Sequence, residues 1–238
     1  MTEPNPNSMT IWWPVVERLG LPAPRTIMVP ISQEMWEAAI NGDAPPAADA
    51  QALAEAAERI GYPLFLRNDL TSGKHSWGRT CYVPSREAFL RHVYRVIEDA
   101  ELHWAWPVLA LAVREYVPLE STFEAFDGMP VSRERRYFAD GGVNLCRHPY
   151  WPEEAIADGD WRRTLPEDWR DRLAALNLER EDEAVLRPMA EAVTRELGGT
   201  WSVDFARARD GRWLLIDMAL AASSWHPEAC PSLPKEAP

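Results

Sequence analysis

Residues 203–219 read VDFARARDGRWLLIDMA. Two runs of residues that favour β-strands flank Asp210 and Gly211, and an Asp-Gly pair in this setting is a strong short-range signal for a β-hairpin. If Asp210 and Gly211 form a two-residue turn, Arg209 pairs with Arg212. The stretch therefore predicts two antiparallel strands in a fixed register, and the register determines which side chains share a face.

Counting back from that turn places Asp204 directly opposite Asp217. The two carboxylates then share a face with Ser202 and Ala219, and their Cβ atoms lie about 5 Å apart. Like charges at this distance repel, and either a shared proton or a bound cation relieves the repulsion. Because oxygen ligands without His or Cys favour Mg²⁺, which also binds substrate phosphates, the pair is a candidate magnesium site.

Two other outcomes stay open for this pair of aspartates. A solvated face that tolerates the repulsion needs no bound ion. A turn longer by one residue would shift the register and move one aspartate to the other face of the sheet.

The composition limits the classes of partner. The chain has 238 residues and a net charge of -12, which argues against a broad surface for nucleic acid or anionic membranes but allows a local basic site. Its cysteines, Cys81, Cys146 and Cys230, are far apart and match no metal-binding spacing, which is typical of reduced thiols in the cytoplasm. The first ten residues lack the pattern of a signal peptide, and no stretch is long and apolar enough to span a membrane. We therefore expect a cytoplasmic protein.

A second stretch, RNDLTSGKHSWG at residues 67–78, places Arg67, Lys74 and His75 around two glycines. One interpretation is a flexible loop with scattered charge. The other is a loop that closes over phosphates, since glycines let backbone N–H groups approach a phosphate and Lys74 supplies a mobile positive charge. The loop is not a Walker motif. Next to a magnesium site, it favours a nucleotide phosphate chain as the ligand.

The remaining pattern mixes helices with short strands. YPLFLR and RTCYVP are predicted strands on either side of the glycine loop, and an Ala-rich helix is predicted over about 48–60. Residues 123–146, with two Asp-Gly pairs, favour a strand meander. A helix predicted over 182–197 contains a proline that either kinks it or delays its start. This order predicts an α+β protein with antiparallel sheets rather than a doubly wound parallel sheet.

Several of these stretches, in this order, resemble the ATP-grasp superfamily. GYPLFLRNDLTSGKHSWGRTCYV is similar to its first ATP-binding hairpin, with Arg67 where the family usually has Lys. LAVREYVPLE resembles the hinge between its lobes. The resemblance implies that backbone groups of Glu115 and Val117 hold adenine and that the Glu120 carboxylate holds ribose.

The second half carries the rest of the resemblance. SRERRYFADGG is similar to a family strand, which places Glu134 and Arg136 on one face and directs Arg136 at the phosphates or the reacting carboxylate. VDFARARDGRWLLIDMA resembles the metal-binding hairpin, with Asp204 as its first acid and Asp217 as its second. The family usually has an Asn two residues after the second acid, and this chain has Ala219. That departure puts a second metal site in doubt.

The resemblance implies two α+β lobes with antiparallel sheets that grip ATP and Mg²⁺ between them. We expect one ATP-grasp domain over residues 11–228, with lobes at about 11–110 and 111–228, and disordered tails at 1–10 and 229–238. Compact, Arg-bearing relatives of this kind include phage and bacterial ATP-grasp proteins of unknown substrate and eukaryotic cell-division-cycle assembly factors of translation initiation.

The activity implied is an ATP- and Mg²⁺-dependent ligase that joins a small-molecule or peptide carboxylate to an amine or thiol through an acyl phosphate. Lys74 and Arg136 are the implied catalytic residues, and Arg67, Lys74 and His75 the phosphate-binding ones. Two alternatives remain. One is an ATP-binding assembly factor without turnover, favoured if Ala219 prevents productive metal geometry. The other is a metal-dependent nuclease or phosphatase, which the acidic composition disfavours for polymeric nucleic acid.

Other polar residues receive simpler interpretations. Arg133 and Arg135 lie on the strand face opposite Arg136, and a charge run of this kind is typical of a solvated face. Cys146 is expected to be buried rather than catalytic, because no His-Asp pair stands at a suggestive spacing. His148 and His226 are expected to be packed or exposed more readily than to contact substrate.

Overall fold

A computed structural model describes residues 5–103, 105, 107–158, 164–178 and 182–227. The predicted tail at 229–238 lies outside the described residues, as do residues 1–4 of the predicted N-terminal tail. The chain divides into two compact units. The first contains Pro24–Pro118, Glu124–Met129 and the chain start up to Thr10, and the second contains the rest.

Helices and strands alternate irregularly along the chain. The helices are α1 (Met9–Arg18), α2 (Gln33–Asn41), α3 (Ala47–Ile60), α4 (Arg86–Leu102), α5 (Glu153–Ala157), α6 (Trp169–Asn177) and α7 (Glu183–Leu197). The strands are β1 (Thr26–Pro30), β2 (Leu64–Asn68), β3 (Tyr82–Val83), β4 (Ala110–Glu115), β5 (Ser121–Ala125), β6 (Met129–Ser132), β7 (Glu134–Asp140), β8 (Val143–Pro149), β9 (Thr200–Arg207) and β10 (Trp213–Leu220).

The first unit is built on a four-stranded sheet with the strand order β1-β4-β2-β3, in which all pairs are antiparallel. Alternate residues of β2 and β4, such as Leu66 and Val113, join side chains of α3 and α4 in one apolar core. Arg67 and Arg114 occupy the intervening positions and therefore face away from that core.

The second unit is built on a four-stranded antiparallel sheet with the order β10-β9-β7-β8. Helix α7 packs against β7, β8 and β9. Tyr137 and Phe205 are buried on one face of this sheet, with their ring centroids 5.7 Å apart in an edge-to-face arrangement. Strands β5 and β6 form a separate two-stranded sheet. The predicted α+β class with antiparallel sheets is therefore confirmed.

The hairpin of β9 and β10 reaches the predicted pairing by a different route. Ala208 and Arg212 flank a turn of three residues, 209–211, instead of the two expected, and Gly211 adopts a positive φ of 90°. The longer turn shifts the register near the loop by one residue. A β-bulge at Ile216 shifts it back, because this extra residue in β10 has no partner in β9.

Beyond the bulge, Asp217 pairs with Asp204, Met218 with Val203 and Ala219 with Ser202. The face predicted from the sequence is therefore correct, although the two-residue turn from which it was derived is not.

Three local expectations are wrong. Residues 5–10 are not a disordered tail, because Ser8 is fully buried, its hydroxyl donates to the Asp69 carboxylate over 2.5 Å, and helix α1 begins at Met9. The strand predicted for RTCYVP is limited to Tyr82–Val83. Helix α7 begins before Pro188, which lies inside it, so the proline does not delay its start.

Arg133 and Arg135 are buried, at 2% exposure each, which corrects the expected solvated face. The guanidinium of Arg133 donates to the carbonyls of Ala175 and Leu176 at 2.9 and 2.8 Å, and that of Arg135 donates to the carbonyl of Leu178 at 2.6 Å. These carbonyls belong to the C-terminal end of α6, where backbone acceptors lack partners within the helix. The two arginines therefore tie α6 to the sheet.

We expect Arg133→Ala to lower the free energy of unfolding by about 3 kcal/mol, since it leaves buried carbonyls and a carboxylate unpaired. Urea denaturation measures this loss. The control is Arg18→Ala, whose side chain is 60% exposed and pairs with Glu196, and which is expected to change the value by less than about 1 kcal/mol. Equal effects of the two substitutions would contradict the structural role of Arg133.

Candidate active site

Polar side chains form a row across the sheet of the second unit. His148 of β8 pairs with Arg136 of β7, Arg136 pairs with Asp204 of β9, and Asp204 pairs with Asp217 of β10. Directly opposite residues in antiparallel strands point to the same face, so all four side chains share one face. The sequence predicted the position of both aspartates and of Arg136 on this face.

Arg136 and Asp204 form a two-pronged ion pair. The guanidinium Nε and Nη2 donate to Asp204 Oδ1 and Oδ2, both over 2.7 Å, and only 11% and 5% of the two side chains are exposed. Burial alone would lower the pKa of Arg136, but the Asp204 carboxylate outweighs this effect and raises the pKa above its usual value. The guanidinium also lies over the Tyr150 ring, 4.6 Å from its centroid.

Asp217 is the more exposed member of the carboxylate pair. It is half-buried, and its Oδ1 accepts a hydrogen bond from the backbone N–H of Met218 over 3.0 Å. Arg136 neutralises one negative charge, so the two aspartates and the arginine together keep one net negative charge on this face.

The donor set fits magnesium. It consists of oxygens alone, and a carboxylate oxygen has two lone pairs, so it can accept a hydrogen bond and bind a cation at the same time. Within the described residues, no group of three or more His, Cys, Asp or Glu side chains is arranged to hold a metal ion. Two carboxylates leave most positions of an octahedral ion to phosphate oxygens and water, which is how Mg²⁺ is commonly bound beside a nucleotide.

Ala219, which stands where the family usually has Asn, pairs with Ser202 in the next row of the sheet. The Ser202 hydroxyl lies 2.6 Å from that of Ser224 and also donates to the Ala219 carbonyl over 3.3 Å. Hydroxyls rather than an amide therefore border the aspartates on this side.

Glu120, the predicted ribose ligand, lies in the second unit. Its carboxylate accepts hydrogen bonds from Arg133 Nε at 3.0 Å and Arg207 Nη1 at 2.9 Å. Burial alone would raise the pKa of Glu120, but the hydrogen bonds and charges of the two arginines outweigh it and lower the pKa. The residue stays ionised, and its role toward ribose remains a prediction.

In the first unit, the sheet face opposite the apolar core carries two buried arginines. Arg67 pairs with Ala112 in the register of β2 and β4, and Arg114 lies two residues further along β4. Arg67 is 2% exposed and Arg114 is 3% exposed. Arg67 was predicted from its place before the glycine loop. Arg114 was missed, although a single arginine inside the apolar run LALAVRE was a usable signal.

The predicted phosphate loop contains a single 3₁₀ turn, Lys74–Ser76. Gly73 before it adopts a left-handed conformation with φ of 61°, and the Thr80 hydroxyl donates to its carbonyl over 2.6 Å. The exposed His75 stacks on Phe126 with ring centroids 4.7 Å apart. Partial desolvation of the ring and the nearby Lys74 charge lower the pKa of His75, so its ring is neutral at pH 7.

The predicted adenine-binding segment starts at the end of β4. The N–H of Glu115 donates to the Arg25 carbonyl over 2.8 Å, and the Glu115 carboxylate accepts from the Arg25 N–H over 3.1 Å. Val117, two residues later, is half-buried. Beside this segment, Tyr116 packs edge-to-face on Tyr82 with the ring centroids 5.1 Å apart. The nucleotide contacts of Glu115 and Val117 remain predictions.

Comparison with known proteins assigns the family. Residues 55–234 match the model of an ATP-grasp domain, the third family of its clade. The chain belongs to this ATP-grasp family. A search of curated proteins by sequence gives no match.

Solved ATP-grasp structures share the fold at low identity. C-terminally truncated Cdc123 from Schizosaccharomyces pombe is 12% identical, with a TM-score of 0.56 over 90% of this chain and 82% of that one. D-alanine–D-alanine ligase from Bacillus anthracis, complexed with ATP, is 11% identical, with a TM-score of 0.50 over 90% of this chain and 54% of that one. A RimK domain protein from Sphaerobacter thermophilus DSM 20745 is 15% identical, with a TM-score of 0.47 over 90% of this chain and 58% of that one.

The ATP-grasp chain thus spans little more than half the length of two of these proteins. At such identities, the likeness establishes the fold alone. In the part of the chain that the structure describes, no helix combines the length and the apolar character needed to cross a membrane.

The arrangement of charges predicts opposite effects for the two aspartates when no metal is present. In EDTA without nucleotide, Asp217→Asn should leave the melting temperature unchanged or raise it, because it removes repulsion that Arg136 does not neutralise. Asp204→Asn should lower stability by about 3 kcal/mol, because it leaves the buried Arg136 without a charged partner. Thermal unfolding measures both effects, and a larger loss for Asp217→Asn than for Asp204→Asn would contradict the arrangement.

Proposed function

We propose that the protein is an ATP- and Mg²⁺-dependent ligase that joins a carboxylate to an amine or thiol through an acyl phosphate. One observation carries the proposal. The two aspartates of the metal-binding hairpin and the arginine of the neighbouring strand share one sheet face, in a chain that belongs to the ATP-grasp superfamily.

Asp204 and Asp217 are the proposed magnesium ligands. When bound, the ion neutralises charge on the phosphates and orients them for transfer. Arg136 holds Asp204 in position and adds a buried positive charge beside it. Its guanidinium is the proposed group that stabilises negative charge as it develops on the transferred phosphoryl group or the reacting carboxylate.

Residues of the first unit are the proposed nucleotide ligands. Arg67 supplies a fixed positive charge that burial keeps out of bulk water, whereas Lys74 supplies a mobile one from the glycine loop. His75 is the proposed neutral contact to phosphate, since its pKa is lowered. Backbone groups of Glu115 and Val117 are proposed to hold adenine.

Glu120 is proposed to hold ribose from the second unit. Its two arginine partners keep the carboxylate ionised and fixed in direction, which suits a hydrogen-bond acceptor for hydroxyl groups. We further propose small molecules or peptides as the carboxylate and amine substrates, and the cytoplasm as the compartment.

Ala219 favours a second candidate function, an assembly factor that binds ATP without turning it over. The family usually places a third metal ligand at this position, and a methyl group cannot coordinate a metal. Cdc123, whose fold is similar, spans a length close to that of this chain, whereas the ligases in the comparison are longer. This function requires nucleotide binding but no release of ADP.

Release of ADP separates the two functions. The chain is incubated with ATP, Mg²⁺ and mixtures of amino acids and short peptides, and ADP is measured by a coupled enzyme assay. The ligase proposal predicts ADP release that depends on a carboxylate acceptor. Asp204→Ala and Asp217→Ala should each reduce it at least about a hundredfold, because the phosphates lose their charge neutralisation.

Asp210→Ala is the matched control, since Asp210 lies in the turn of the same hairpin and its carboxylate pairs with Arg212 at 2.8 Å. It should turn over at the wild-type rate. Saturable binding of ATP without ADP release under any acceptor mixture would overturn the ligase proposal and support the assembly factor.

A further inference from the structure

A thiol and an imidazole meet on the sheet face that carries the aspartates. Cys146 Sγ lies 2.9 Å from His226 Nε2. Cys146 pairs with Phe138 across β8 and β7, so its side chain shares a face with that of Arg136, two residues before Phe138. The ring of His226 packs edge-to-face on Phe138 with the centroids 4.6 Å apart. Both Cys146 and His226 are half-buried, which leaves the thiol accessible to a small reactant.

The imidazole is oriented to act as a base. It donates a second hydrogen bond to the backbone of Pro227, and because proline has no N–H, the acceptor is the carbonyl. The nitrogen that faces the thiol is therefore the one with the lone pair in the ring plane. Burial lowers the pKa of His226, so the ring is neutral at pH 7 and can accept the thiol proton. A nucleophile, a base and a group that orients the base form the arrangement used in covalent catalysis.

The segment that carries His226 is fixed to the candidate active site by two contacts. The Ser224 hydroxyl lies 2.6 Å from that of Ser202, next to the aspartates. The Trp225 carbonyl accepts a hydrogen bond from Arg136 Nη1 over 3.1 Å, while the same guanidinium holds Asp204. Arg136 and Cys146 are diagonal neighbours on adjacent strands, about 7 Å apart at Cβ. An anion held by Arg136 is therefore within reach of the thiol.

Cys81 provides an internal comparison. It is fully buried, its thiol lies 3.8 Å from the Trp77 carbonyl, and burial raises its pKa to about 12. A thiol in such surroundings is unreactive. Cys146 differs in its accessibility and in its imidazole partner, which corrects the expectation that Cys146 is simply buried.

We propose that Cys146 is a nucleophile that takes the activated acyl group from an acyl phosphate as a thioester, with His226 as its base. The proposal rests on the proposed function for the source of the acyl phosphate, which is a substrate carboxylate phosphorylated by ATP. The class of ligand is thus a small acyl phosphate whose dianionic phosphate lies beside Arg136.

The step balances without a further reactant. His226 Nε2 takes the proton from Cys146 Sγ, and the sulfur forms a bond to the carbonyl carbon of the acyl phosphate. The bond between this carbon and the bridging oxygen breaks, and inorganic phosphate leaves. An amine then attacks the thioester carbonyl, and the departing thiolate recovers its proton from the His226 imidazolium. The sum is the ligation already proposed, and Cys146 is regenerated.

Acetyl phosphate tests the thiol without any nucleotide. The full chain is incubated with it at pH 7, digested and examined by mass spectrometry. The proposal predicts one acetyl group on the peptide that contains Cys146, removable by neutral hydroxylamine, and none on the peptide that contains Cys81. His226→Gln should slow the acetylation at least about tenfold. Absence of acetyl on Cys146, equal labelling of Cys81, or an unchanged rate in His226→Gln would overturn the proposal.

A second measurement needs no variant and therefore does not depend on whether His226→Gln folds. Iodoacetamide at pH 7 should alkylate Cys146 of the native chain at least about ten times faster than free cysteine, since the base assists loss of the thiol proton. A rate equal to or below that of free cysteine would overturn the assignment of His226 as a base.

The ATP-dependent reaction distinguishes failure of this proposal from failure of the proposed function. Acetylation of Cys146 by acetyl phosphate in a chain that never releases ADP supports the nucleophile and contradicts the ligase. Wild-type release of ADP and product by Cys146→Ala supports the ligase and contradicts the thioester.

Discussion

The buried ion pair between Arg136 and Asp204 is the constraint on which the candidate site depends. A charge taken out of water is stable only if a partner of opposite charge is held close to it, and here both hydrogen bonds of the pair measure 2.7 Å. The pair requires β7 and β9 in their observed register. It also requires Asp217 to supply the unneutralised charge, and it holds the Trp225 carbonyl through the remaining face of the guanidinium.

The register of the neighbouring hairpin shows how far the sequence determines this site. The Asp-Gly signal located the hairpin and its turn, and the alternation of side chains located the aspartates on one face. The turn is nevertheless one residue longer than predicted, and a bulge at Ile216 compensates for it. Nothing in the run WLLIDMA marks Ile216 as the residue without a strand partner, because a bulge depends on the pairing of both strands rather than on one residue type. The opposition of Asp204 and Asp217 was therefore predicted correctly from an incorrect turn.

Residues whose environment depends on distant segments were predicted less well. Arg133 and Arg135 lie in a charged run that is typical of a surface, but the end of α6 returns to cover them and supplies carbonyl acceptors. Cys146 and His226 are 80 residues apart, and they meet only because the chain after β10 folds back across Phe138. Ser8 was placed in a disordered tail because its neighbours are polar, whereas its partner Asp69 is far away in the sequence. In each case a tertiary contact decides the outcome, and local pattern does not encode it.

The central claim is that Asp204 and Asp217 bind a divalent ion beneath the phosphates of a nucleotide. Isothermal titration calorimetry with ATP, in Mg²⁺ and in EDTA, tests it most directly. The account predicts that Mg²⁺ raises the affinity of the wild-type chain for ATP at least about tenfold, a coupling of about 1.4 kcal/mol, and that Asp217→Asn abolishes this dependence. An affinity that is the same with and without Mg²⁺, or a Mg²⁺ dependence that survives Asp217→Asn unchanged, would contradict the account.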